Sequence, residues 1–271
     1  MVRKSLARVV NFLALFSAAI PGAWGESTRD KVTKIVVQIQ RADYEGDRPA
    51  LKRLYEELAL FNEDKTLASR VRYWRGFALW RRVLNGFNET VDPKEQDQDL
   101  EQAVEEFKES AAKDPGFADA KIGAASCLSF LMGLHRAEAA RMQELMARAV
   151  PMRKEAEAAG PENPRLAFVQ GAILWYTPPE RGGGQDKSME TYAKGLENAR
   201  KQKGSVTDPL EPSWGEPELL MSLAGANLYR STPDLDAAEK YARQTLEIVP
   251  YWHYVRDILM KQIQDAKAKH N

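Results

Sequence analysis

The stretch Ala103-Val104-Glu105-Glu106-Phe107-Lys108-Glu109-Ser110-Ala111-Ala112-Lys113-Asp114-Pro115 sets a small residue, an aromatic, a second small residue and a proline four, three and five positions apart. Intervals of four and three bring side chains onto one face of an α-helix. A proline five positions further on cannot continue that helix, because it lacks the N–H and clashes with the preceding turn. The stretch therefore reads as a helix whose packing face runs small, large, small and then stops. Working outward, the same spacing returns at Ala149, Arg153, Ala156 and Pro161, with an arginine in the aromatic place. It returns at Ser188, Tyr192 and Gly195 without the proline, and at Ala238, Ala242, Thr245 and Pro250. The segments preceding three of these helices carry Gly76, Gly171 and Gly225, each with a leucine three residues on (Leu79, Leu174, Leu228). Small residues let two helices approach closely while a large side chain fills the space beside them.

This string resembles the closing half of a tetratricopeptide repeat, with Ser110 in place of its second alanine, and the resemblance covers roughly Leu67 to Pro250. It implies an all-α fold, a TPR-like right-handed superhelix of stacked antiparallel helical hairpins, in which each hairpin buries its apolar face only against its neighbours. Residues 26–66 read as an N-terminal hairpin: one helix from Thr28 to Tyr44, a stop at Glu45-Gly46-Asp47, and a second helix opened by Pro49 and lined by Leu51, Leu54, Tyr55 and Leu58. Residues 67–250 hold the degenerate repeats, and residues 251–271 a capping helix with Val255, Leu259 and Ile263 on one side. Three stretches interrupt the array: Asn85 to Asp99, Thr177 to Gly184, and Gly204 to Pro217 with its three prolines. Loops of this length inside a compact array are usually functional or mobile.

Residues 1–25 have the layout of a signal peptide. Arg3, Lys4 and Arg8 form a basic start, Val9 to Ile20 an apolar run too short to cross a bilayer, and Ala23-Trp24-Gly25 a small-residue cleavage site. The expectation is an exported chain, most simply in a bacterial periplasm, with no stable membrane insertion after cleavage. Removing those three cations from 39 basic residues leaves 36 against 39 acidic ones, which gives no electrostatic reason for nucleic-acid binding. The single cysteine, Cys127, lies among Ala124, Ala125, Leu128 and Phe130 and reads as a buried packing residue.

No arrangement of catalytic groups emerges, so no catalytic residue, metal ligand or cofactor is expected. His135, His253 and His270 fall in no metal-binding spacing, and no nucleophile elbow is present. The run Gly182-Gly183-Gly184-Gln185-Asp186-Lys187-Ser188 places Asp186 where a phosphate loop requires glycine, so it reads as a sharp turn into a helix starting at Gln185 or Asp186. Glu95, Asp97, Asp99, Glu101, Glu105 and Glu106 read as a solvated face, as do Arg70, Arg72, Arg75, Arg81 and Arg82, the latter with contact to an acidic ligand as the alternative.

If the first helix of each hairpin lines the inner curve, as the resemblance implies, the inward positions are Arg70, Tyr73, Phe77 and Trp80, then Arg165, Phe168 and Trp175, then Tyr229. Aromatics with a few arginines suit recognition of a peptide or a planar ligand, although aromatics at helical spacing also fill seams between hairpins. Trp74, Trp214 and Trp252 read as core. The expected function is non-catalytic recognition of a protein or peptide partner on the concave face. The alternative is a small-molecule ligand, held by an accessory component of a solute-uptake system in an enclosed pore lined by Trp80, Trp175 and Tyr229.

Overall fold

The computed structural model describes residues 26–270; the expected signal peptide at 1–25 lies outside them. The described residues form eleven α-helices and no strand. In chain order these are α1 (Thr28–Glu45), α2 (Arg48–Leu58), α3 (Ala68–Gly86), α4 (Pro93–Lys113), α5 (Ala118–Leu134), α6 (Ala139–Ala159), α7 (Pro164–Tyr176), α8 (Gln185–Lys201), α9 (Glu216–Tyr229), α10 (Leu235–Ile248) and α11 (Met260–His270), the last preceded by a π-turn at Tyr254–Leu259. Consecutive helices pack in pairs, and the odd-numbered helices α1, α3, α5, α7 and α9 also touch one another in sequence. That is a solenoid-like, tetratricopeptide-type array with the odd helices on its inner side.

Local chemistry sets the boundaries. Ser27 caps α1 by accepting from the Asp30 N–H, and Gly46 ends it in the left-handed conformation that a side chain would strain. Pro49, Pro93, Pro164 and Pro217 all lie in the first turn of a helix, where the missing N–H has no intrahelical partner to lose. Asn85 to Asp99 departs from the expected insertion. Only residues 87–92 are loop, because Asp92 and Pro93 together start α4 and the acidic run continues it.

The hairpin seams follow the glycines. Phe107 of α4 is fully buried between α3 and α5; a Cβ at Gly76 would lie 3.0 Å from its ring and one at Gly123 only 2.5 Å away. Tyr192 of α8 fills the same role against Gly171, where a Cβ would stand 2.2 Å from the ring. Gly225 is different. A Cβ there meets nothing within 4 Å, since α10 carries the short Ala242 at the large-residue place. Where the alanine of the pattern becomes a hydroxyl residue, the hydroxyl is satisfied by backbone: Ser110 donates to the Ser69 carbonyl at 2.8 Å and Ser188 to the Gly171 carbonyl at 2.7 Å. Cys127 is buried among these seams, and burial pushes its thiol pKa well up.

The array does not remain open. Tyr44, near the end of α1, stacks edge-on against Trp252 at 4.9 Å between ring centres, and its hydroxyl donates to Glu218 of α9 at 2.8 Å. Arg41 lies over the Tyr251 ring. The first hairpin thus closes against the last, and the inner side becomes an interior.

Candidate binding site on the inner helix face

The expected cationic face is not solvated. Each of its arginines meets a carboxylate from another element: Arg70 with Glu211 and Asp114, Arg72 and Arg75 with Glu106, Arg81 with Asp43, and Arg82 with Asp99. Arg75, Arg81, Glu106 and Asp99 are buried, so the acidic run is likewise not a uniformly solvated face. The reason is reciprocal spacing: α3 presents arginines at helical intervals toward α1, α4 and the connection between α8 and α9, and α4 returns Asp99 and Glu106 on one helix face. Direct pairing with a carboxylate, Glu106 being shared by Arg72 and Arg75, is what permits charge in an interior.

One buried network fixes the inner geometry. Arg81 is paired with Asp43 at 2.7 Å and lies 3.8 Å from Glu218, whose other oxygen accepts the Gly215 N–H at 2.7 Å. Burial opposes the Arg81 charge, but Asp43 and Glu218 outweigh it and hold its pKa above that of an ordinary arginine. Burial raises the Glu218 pKa, with Arg81 pulling it back, and burial together with Glu218 lifts the Tyr44 phenol. The network ties α1 and α3 to the start of α9, and so holds the end of the long connection between α8 and α9.

That connection, residues 202–215, occupies the inner face. The Trp74 indole N–H donates to the Leu210 carbonyl at 2.8 Å, and the Trp214 indole N–H donates to the Tyr73 hydroxyl at 2.9 Å. Arg70 grips Glu211 at 2.7 Å, and Arg165 donates to the Trp214 carbonyl at 3.0 Å while its other nitrogens bind Asp119. The Trp214 ring sits 5.6 Å from Trp80, 5.7 Å from Phe77 and 5.9 Å from Phe168. Six of the eight residues expected to face a partner, Arg70, Tyr73, Phe77, Trp80, Arg165 and Phe168, therefore do converge, but on a segment of the same chain. Tyr73, Phe77 and Trp80 are closed to solvent beneath it, a correction to the expected open face. Trp80→Ala would accordingly open a cavity in the core rather than spare the fold. The physical reason is that large apolar side chains at Leu210 and Trp214, in an otherwise polar loop, must be sheltered somewhere.

Trp175 and Tyr229 take no part in this cluster. Trp175 is half-buried at the end of α7, and Tyr229 is exposed at the end of α9, donating to Gln262 at 2.6 Å. They do not line a pore with Trp80, so the enclosed channel of the small-molecule reading does not form. Sequence reasoning missed Asp208, Leu210 and Glu211 as inner-face residues. The available signal was the alternation of proline with leucine and tryptophan between polar residues. The Gly182–Gly184 run is a turn: Gly182 and Gly184 have φ of +83° and +106°, and α8 begins at Gln185. Two cavities flank the docked segment, one of about 680 Å³ beside Asp208, Leu210 and Glu211 and one of about 330 Å³ beside Val206, Pro212 and Trp214. Among the described residues no helix is long and apolar enough to cross a membrane.

No family model matches the sequence, and no curated protein matches it. Solved structures are similar in fold. The HusA haemophore from Porphyromonas gingivalis superposes with a TM-score of 0.59 at 19% identity, over 78% of this chain and 99% of the haemophore. A tetratricopeptide-repeat protein from the thermophile Thermus thermophilus gives a TM-score of 0.49 at 16% identity, over 87% of this chain and 99% of its own. At these identities the haemophore supports the fold alone. The chain is an all-α, solenoid-like protein of stacked helical hairpins.

Proposed function

We propose that this is an exported, non-catalytic helical-repeat binding protein that recognises a non-helical segment of a partner protein on its inner helix face. One observation carries the reading: that face already holds peptide, gripping residues 208–214 by an arginine–carboxylate pair, an indole-to-carbonyl bond, an arginine-to-carbonyl bond and an aromatic pocket. These contacts combine backbone capture with side-chain pockets, which is how peptide-recognition surfaces obtain both affinity and specificity. The haemophore's fold keeps a small-molecule ligand as the second reading. The cavity of about 330 Å³ between Tyr44, Pro164, Trp214 and Val249 is the space such a ligand would use.

The test presents an unbiased displayed-peptide library to residues 26–271 in which 208–214 are replaced by a glycine–serine stretch of equal length. Enrichment of peptides whose capture is lost in Arg70→Ala supports the reading. Absence of any enriched peptide, with a small molecule retained through native mass spectrometry of the unmodified chain, would overturn it.

A further inference from the structure

Resting on that reading, we infer that residues 208–214 are a resident pseudo-ligand that an outside segment of the same chemistry displaces: an acidic residue followed three positions on by a large aromatic, with proline between. The segment lies on the array by one side only. Leu210, Pro212 and Trp214 are buried against it, whereas Pro209 and Ser213, on the opposite side, are exposed. The segment opens with a tight turn, in which the Glu211 N–H donates to the Asp208 carbonyl at 3.0 Å, and then runs irregularly along the surface to Trp214. Pro209 and Ser213 face outward uncovered, and a cavity lies on each side of the segment, which is fastened at its ends by Arg29 to Asp208 and by Glu218 to the Gly215 N–H. Its approach is loose, since residues 201–207 are all exposed.

Glycines bracket the segment in conformations open to them alone, Gly204 at φ +80° and Gly215 at φ +136°. Among the described residues of the connection these are the only two with a positive φ. The fit inside is also incomplete. The Trp80 indole N–H, fully buried against Trp214, has no acceptor among the described residues. A buried donor without a partner is costly, so an outside segment that brings an acceptor there gains a bond the resident lacks. The partner class follows from what the resident shows: a carboxylate for Arg70, an indole or comparable ring for the pocket of Phe77, Trp80 and Phe168, and carbonyls for Trp74 and Arg165.

A segment tethered at both ends competes at an effective concentration on the order of millimolar. With a trans affinity of about 10 μM, the resident therefore weakens an outside segment about 100-fold. The experiment titrates a fluorescent peptide of sequence Val206–Gly215 into three chains: unmodified, Trp214→Ala, and the glycine–serine replacement. Expected is binding near 10 μM to the replacement, about 100-fold weaker binding to the unmodified chain and an intermediate affinity for Trp214→Ala, with a peptide lacking the acid and the indole bound by none. Equal affinity for all three chains, or no binding to a folded replacement, overturns the inference. If the replacement does not fold, an unchanged affinity in Trp214→Ala overturns it alone. Library enrichment on the replacement without binding of this peptide would sink the displacement idea and leave the recognition reading standing.

Discussion

Adding one methyl group at Gly123 should destabilise the protein, while adding one at Gly225 should stabilise it. The new Cβ at Gly123 would stand 2.5, 2.6 and 2.7 Å from three carbons of the Phe107 ring. That ring is fully buried and cannot retreat, because Gly76 closes its other side with its own Cβ position 3.0 Å away. Overpacking of a rigid ring costs about 1–3 kcal/mol, against a helix-propensity gain of about 1 kcal/mol for glycine to alanine. With three contacts at 2.5–2.7 Å the overpacking lies at the upper end of that range, about 2–3 kcal/mol, so the net expectation for Gly123→Ala is a loss of about 1–2 kcal/mol. Gly225 meets nothing within 4 Å, so Gly225→Ala should keep the propensity gain of about 0.5–1 kcal/mol. Urea unfolding followed by far-ultraviolet circular dichroism measures both. A compensating Phe107→Leu in the Gly123→Ala background should recover part of the loss, since leucine removes the crowded ring edge; the coupling is read as a double-mutant cycle. A neutral or stabilising Gly123→Ala, or a destabilising Gly225→Ala, would refute the assigned seams.

Two further predictions concern charge. Arg81→Ala leaves Asp43 and Glu218 buried without their cation, at a cost of about 3–5 kcal/mol. The Glu218 pKa is already raised by burial and would rise again, so the folded variant binds a proton the unfolded chain does not. Its stability should therefore increase as pH falls from about 7 toward about 5, and a stability flat over that window would contradict the network. His135 contacts Asp97 at 2.5 Å and Glu138 at 2.8 Å through its two ring nitrogens, and these partners raise its pKa above the ordinary 6.5. Its stabilising contribution is full below that value and fades as pH rises through the higher folded pKa. Nuclear magnetic resonance titration should show the raised value, lowered again in Asp97→Asn; a value at or below 6.5 in the unmodified chain would count against the pair.

The fold was legible because its signal is local. Phe107, Tyr192 and the glycines opposite them are spaced by helix geometry alone, and the stop signals at Gly46, Pro49 and Pro93 act within a turn of their helix. Helix geometry likewise brings Arg70, Tyr73, Phe77, Trp80, Arg165 and Phe168 to one side, whereas Trp175 and Tyr229, at the ends of their helices, fall outside that cluster. What covers the cluster was not legible. The contact of Trp214 with Tyr73 spans 141 positions and that of Tyr44 with Glu218 spans 174, and no periodicity reports such pairings. The arginines of α3 illustrate the same limit: alone they look like a solvated stripe, and only the carboxylates on α1, α4 and the long connection reveal them as interior. Phe77 and Trp80 read in sequence as either seam packing or an open recognition face, and only the leucine and tryptophan of a distant loop decide between the two.

Residues 208–214 are seated on the inner face, and the Trp74 indole proton reports that seat directly through its bond to the Leu210 carbonyl. Hydrogen exchange at that proton, followed by nuclear magnetic resonance, should be slowed at least about 100-fold relative to a free indole in the unmodified chain, matching the inferred closed-to-open ratio. It should lose most of that protection when 208–214 are replaced by glycine and serine. A Trp74 indole that exchanges freely in the unmodified chain, or equally slowly in both, would contradict the claim.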